Sequence, residues 1–174
     1  PRGPVITQLN QWWRRGEYAA AIRFYAGRGI AIRGMITAAS LEGGDVMIVE
    51  PGTVLIGFGE SRTMEPAARQ LADWFEEDGW EARLQPFPDR FVHIDVLVSV
   101  LAEKLAAVST EVLPSGAVGW LRDKGIEIIE VSADEAFRLG VNAISLGGDR
   151  VLSAAGAGEL NDAMRARGLT VHDP

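Results

Sequence analysis

The sequence predicts an α/β fold made of repeated ββαβ units, arranged as a propeller-like assembly instead of an open sheet. Three observations carry that expectation. Four glycines, Gly29, Gly79, Gly125 and Gly168, each end a helix-like segment and open a short β-rich run. They are spaced by about 50, 46 and 43 residues, within the range of repeated supersecondary units. Each of the three intervals also contains a hairpin-like stretch followed by a helix-like one. A strand that returns parallel needs a helical layer over its sheet, which favours the radial arrangement. A two-layer α/β sandwich is the other arrangement these elements allow.

Taken in order, "GEYAAAIRFYAGRG" reads as a helix and the run after Gly29 as its returning strand, an αβ remnant over residues 1–35. Three fuller units follow over residues 36–88, 89–132 and 133–174, all within one partial domain spanning 1–174. Their hairpins are "GGDVMIVEPGTVLIGFG", "HIDVLVSVLAEKLAAVS" and "NAISLGGDRVLSA", with turns at "EPGT", "AEK" and "GGD". In "EPAARQLADWFEEDG", Ala68, Leu71, Ala72 and Phe75 recur at helical spacing, and Pro66 suits a first turn. Shorter helices are expected at "GAVGWLRDKG" and "ELNDAMRARG". Each closing glycine suits a left-handed cap, where the missing Cβ removes the steric cost.

With 174 residues, 47% hydrophobic and 24% charged, the chain can bury a core and has the composition of a soluble globular domain. Its formal net charge of −7 argues against nucleic acid or an anionic membrane as partner and favours a cationic or zwitterionic small ligand. The absence of cysteine excludes disulfides, thiolate zinc sites and a cysteine nucleophile from these residues. No apolar run is long enough to span a bilayer and no signal-like segment opens the chain, so a cytoplasmic location is the default expectation. The chain begins at Pro1 without methionine and stops at "VHDP", just after a strand-like run; both ends are expected to be cuts. Oligomeric state is left open.

Polar residues cluster where the hairpins begin. "SLEGGDV" carries Glu42 and Asp45, and "VHIDV" carries His93 and Asp95 at the equivalent place in the next unit. Read as strand, the second motif puts His93 and Asp95 on one face. Equivalent positions of a radial repeat converge, so these four groups are expected to share a pocket. Carboxylates accept the paired N–H groups of a guanidinium, and histidine moves protons near neutral pH, a set suited to an arginine-like substrate. A packed core histidine beside ordinary Gly-Gly-Asp turn chemistry accounts for the same residues. "AAGAGEL" lacks the phosphate-loop lysine and the full dinucleotide fingerprint, and reads as a strand-to-helix turn. "QWWRR" reads as packing beside a solvated face. A metal held by His93, Asp95 and Glu42 is disfavoured, since His172 is the one other histidine.

"LEGGDV", followed about 20 residues later by "GESRT", then a helix, then "HID" entering an apolar strand, resembles the arginine deiminase and amidinotransferase superfamily. These are guanidino-group-modifying enzymes of the pentein fold. "RRGEYAAAIRFYAGRGI" and "NAISLGGDRVLSAAGAGELNDAMRARGLTV" resemble the corresponding stretches of its shorter members, so the resemblance covers nearly the whole chain. It implies an α/β propeller, incomplete here, with about three units plus the αβ remnant. It implies that Glu42 contacts the guanidinium or supports the histidine, that His93 is the general acid/base, and that Asp95 binds guanidinium nitrogens. Asp45 would bind substrate or stand behind it, and Arg62 would hold a substrate carboxylate; an exposed arginine at a helix start is the other reading of Arg62. The implied mechanism is attack of a cysteine thiolate on the guanidinium carbon, departure of an amine, and release of the intermediate to water or to an acceptor amine. No metal or organic cofactor is implied.

The sequence departs from the family pattern twice. The nucleophilic cysteine belongs beyond Pro174, and a further guanidinium-pairing aspartate belongs before Pro1. A fragment explains both, and a catalytically inactive relative that binds an arginine-like ligand or a protein partner is the alternative. Arginine, a methylated arginine or an agmatine-like amine remain open as substrate, as do water and amine as acceptor.

Overall fold

The computed structural model describes residues 2–174. The chain divides into two compact units, residues 1–46 with 51–92 and residues 47–50 with 93–174.

In the first unit β1 (Val5–Ile6), α1 (Glu17–Ala26) and β2 (Gly34–Met35) form a βαβ element, with β1 parallel to β2. The sequence reading expected only an αβ remnant here. It missed β1 because two residues after a Gly-Pro pair are too few to show an alternating pattern. The strand β3 (Val46–Glu50) falls in the second unit from residue 47 on, and the chain passes from it through Glu50-Pro51-Gly52-Thr53 into β4 (Thr53–Phe58) of the first. Gly52 has φ +85°, which suits a glycine after proline in a tight turn. Then come α2 (Glu65–Glu77) and β5 (Glu81–Pro86), which pairs parallel to β4 from Thr53↔Glu81 to Phe58↔Pro86. β4 is nearly continuously apolar, and Val54, Leu55 and Ile56 are fully buried, as a covered parallel strand requires. The helix α2 turns Ala67, Ala68, Leu71, Ala72 and Phe75 onto that core, the three alanines keeping the layers close. Phe75 meets the Trp80 ring at 5.2 Å between centroids.

In the second unit β6 (Val98–Ala102) and β7 (Leu105–Val108) are antiparallel, and β8 (Glu127–Glu130) returns parallel to β7 after α3 (Ser115–Asp123). Lys104, in the β6–β7 turn, has φ +58°. That cost is offset where its ammonium meets Glu50 and the Lys124 carbonyl (2.9 Å), and its own carbonyl accepts Glu127 N–H at 2.8 Å. The pattern recurs in β9 (Ile144–Gly147), β10 (Arg150–Leu152), α5 (Gly158–Ala166) and β11 (Thr170–His172): β9 antiparallel and β11 parallel to β10. "AAGAGEL" is the turn into α5, as expected. β9 lies at the edge of its sheet, with all four residues exposed, Ile144 at 56% and Leu146 at 44%. A short helix, α4 (Ala133–Phe137), escaped the sequence reading; its five residues are too few for periodicity, and Ser132 caps it by accepting Glu135 N–H at 3.2 Å.

The four helix-ending glycines have φ +65°, +81°, +74° and +84° at Gly29, Gly79, Gly125 and Gly168, the left-handed caps the sequence predicted. Among the described residues no helix is long and apolar enough to cross a membrane.

Two glycines in α3 and at its end separate backbone strain from packing. A Cβ at Gly125 or at Gly119 meets nothing within 4 Å, but only Gly125 has positive φ. Gly125→Ala is expected to lower unfolding stability by about 1–2 kcal/mol, and Gly119→Ala, inside the helix, to raise it by about 1 kcal/mol. Denaturant midpoints of the two variants check this; shifts of the same sign would refute it. A second expectation concerns acid. The Arg165 guanidinium, 2.7 Å from Asp173, holds that carboxyl below its ordinary value of 3.8. The contribution is complete above the unfolded value and is lost as pH falls through the depressed one. Carboxyl NMR should find the Asp173 midpoint below 3.8, and Arg165→Ala should move it back up; an unmoved midpoint rules the interaction out.

Candidate functional site

In the first unit, the segment from Ser40 to Asp45 is fastened on both sides before it becomes β3. Leu41 N–H donates to the Gln8 carbonyl at 2.9 Å, and Met64 N–H donates to the Ser40 carbonyl at 3.0 Å. Ser40 Oγ donates to the Arg62 carbonyl at 2.8 Å, and Glu42 N–H donates to Thr63 Oγ1 at 2.9 Å. Three stretches, near residues 8–14, 40–45 and 59–64, are thereby brought together. Gly43–Asp45 is a 3-10 turn with Glu42 in the extended position before it. Asp45 is wholly buried and donates its N–H to the Glu42 carbonyl at 3.1 Å.

Glu42 is itself only 3% exposed. Its Oε2 lies 3.3 Å from Arg62 Nη1 and 3.6 Å from Arg14 Nη1. A buried carboxylate requires such company, because leaving water without a charged or hydrogen-bonding partner is costly. The sequence reading placed Arg62 among the candidates and overlooked Arg14, taking "QWWRR" for a solvated face. Arg14 ends a 3-10 turn, Trp12–Arg14, and its Nε and Nη2 donate to the two oxygens of Glu17 at 2.8 and 3.1 Å. That contact raises the Arg14 pKa and lowers that of Glu17. The signal that could have found Arg14 is its position one turn before Glu17, at the start of a helix.

In the second unit His93 and Asp95 are not on a strand. Ile94–Val96 is a 3-10 turn with His93 extended before it, and β6 begins only at Val98. Strand alternation therefore does not orient these two side chains, a correction to the sequence reading. The cause is burial of Ile94 and Val96, 0% and 2% exposed, which a tight turn drives inward while His93 and Asp95 stay half-buried. The turn is held by Leu97 N–H on the Ile94 carbonyl and Ser109 N–H on the Leu97 carbonyl, both at 2.8 Å. Ser109 is fully buried, and its Oγ has no hydrogen-bond partner among the described residues. Sequence reasoning missed it too. The two motifs share one design: an extended residue, Glu42 or His93, then a 3-10 turn whose aspartate is Asp45 or Asp95, then the first strand of a hairpin.

Among the described residues no group of three or more histidines and acids could hold a metal ion. What the first unit offers is two buried carboxylates, Glu42 and Asp45, and two guanidinium groups set against Glu42, each with five donors to share.

Two curated relatives match almost the whole chain. YkgA of Bacillus subtilis is 32% identical over 168 residues, which cover 95% of this chain and 56% of YkgA. A protein of Aeropyrum pernix is 26% identical over 170 residues, 98% of this chain and 59% of that protein. The chain thus spans little more than half the length of either. Among solved structures, DDAH from Pseudomonas aeruginosa, a mutant complexed with citrulline, superposes with a TM-score of 0.80 at 23% identity, covering 99% of this chain and 64% of that one. The N-terminal domain of ArgZ, a cyanobacterial arginine dihydrolase bound to its product, gives 0.82 at 17% identity, covering 99% and 65%. These likenesses establish the fold, the α/β propeller type of the penteins. The family model for arginine deiminase matches residues 17–119, a stretch that runs from Glu17 through both motifs into α3. The chain belongs to the arginine deiminase family.

Proposed function

We propose that these residues supply the guanidine-recognising part of a guanidino-group-modifying enzyme, of deiminase, dihydrolase or amidinotransferase type, acting on arginine or a related guanidine. The observation that carries this reading is Glu42, a buried carboxylate already set against guanidinium nitrogens at 3.3 and 3.6 Å. A position that accepts guanidinium groups of the chain has the charge and geometry to accept one from a ligand. In this reading Asp95 binds guanidinium nitrogens, His93 moves the proton to the leaving amine, and Asp45 backs the motif that carries Glu42. Arg62 spends one nitrogen on Glu42 and has donors left. Arg14 faces Glu42 with one nitrogen and holds the exposed Glu17 with the other two. The two arginines then receive the carboxylate of an amino-acid guanidine, at Arg14 in place of Glu17.

The covalent step needs a thiolate, and these 174 residues contain no cysteine. The nucleophile is then supplied from outside this sequence. The same absence favours a second reading, a family member that binds an arginine-like ligand without turning it over.

Calorimetric titration of L-arginine into the chain, with L-lysine as the control lacking a guanidinium, tests recognition. Binding of arginine in preference to lysine is expected, and Asp95→Asn should weaken it by about 10- to 100-fold, the loss of a hydrogen bond to a charged group. Equal affinity for the two amino acids would sink the reading. Incubated with L-arginine, the chain should release neither ammonia nor citrulline; release of either above the buffer rate contradicts a thiol-dependent mechanism.

A further inference from the structure

The Arg14–Glu17 pair lines a cleft of about 270 Å³ in the first unit, walled by Val5, Ile6, Leu9 and Tyr18 among others. Within it, Arg14 presents two parallel N–H groups, Nε and Nη2, to the two oxygens of Glu17 at 2.8 and 3.1 Å. This is the fork arrangement by which a guanidinium takes any carboxylate. Its third nitrogen, Nη1, faces Glu42 at 3.6 Å. The part of Arg14 best shaped for a ligand carboxylate is therefore already filled, and by an acid of the chain itself. The pair is half open to water, with side-chain exposures of 40% and 55%, so separating it costs little.

We propose that Glu17 is a specificity-determining residue: its carboxylate sits where the carboxylate of an amino-acid guanidine binds Arg14, and it selects against such ligands relative to guanidines without a carboxylate. The inference rests on the reading above, in which Arg14 and Arg62 receive that carboxylate. A ligand with a carboxylate has to displace Glu17, whereas one without it leaves the Arg14–Glu17 pair intact. An exposed ion pair of this kind limits the effect to about two- to fivefold.

L-arginine and agmatine, its decarboxylated analogue, serve as probes by calorimetry on the whole chain and on Glu17→Gln and Glu17→Asp. Glu17→Gln should tighten L-arginine by about two- to fivefold and leave agmatine unchanged. Glu17→Asp, too short to reach both nitrogens, should fall between. A merely structural role at the start of α1 would move both ligands together, and that outcome overturns the proposal. A chain that prefers L-arginine to agmatine by the same ratio with and without Glu17 overturns the proposal alone and leaves the reading of Arg14 and Arg62 standing. Equal affinity for the two ligands in every version overturns that reading and the proposal with it. No binding of either ligand overturns the guanidine reading as a whole.

Discussion

A carboxylate removed from water must be met by hydrogen bonds and positive charge, and the first unit is organised around that requirement at Glu42. Its main chain is tied to Thr63, and its side chain is faced by Arg62 and Arg14. The partners come from three places in the sequence, the chain before α1, the chain before β3 and the exit from β4, which meet at this carboxylate. Of the three charges only Glu42 is buried, so loss of its arginine partners would leave a carboxylate in the interior with too little company, a penalty larger than the worth of the pair itself.

A second constraint is the shape of the two motif turns. In a 3-10 turn successive residues advance by about a third of a revolution, so one buried apolar residue fixes where its neighbours go. Ile94 and Val96 are taken into the interior and His93 and Asp95 are left at its margin. In the other motif Gly43 stands at the position of Ile94 and Asp45 at that of Val96, so the acid itself is the buried member. The same backbone device thus delivers a half-buried acid in one case and a fully buried one in the other.

Much of the architecture was legible because it rests on local rules. The glycine caps declared themselves by sequence and have the expected positive φ, and α2 and the parallel returns β5, β8 and β11 followed from spacing. β1 and α4, of two and five residues, were not legible, since no periodicity fits within them and no helix-ending glycine announces them as one does β8 and β11. The site was legible in its residue types but not in its geometry. His93 and Asp95 looked like alternating strand positions because Ile94 and Val96, two apart and both apolar, imitate one face of a strand although their backbone is a 3-10 turn. Arg14 was hidden for a different reason: its meeting with Glu42, 28 residues away in sequence, is a tertiary contact that no local pattern records.

The exposed edge strand β9 bears on how the chain behaves in bulk. Ile144 and Leu146 are two apart, so they project from one side of a strand whose outer backbone groups face away from its sheet. Such an edge is a template for another strand, and what opposes that meeting is mutual repulsion between molecules of formal charge −7. Repulsion reaches only about 8 Å at physiological ionic strength and about 3 Å at 1 M salt. Concentrated salt is therefore expected to lower the barrier to association through this edge, and dilute buffer to raise it.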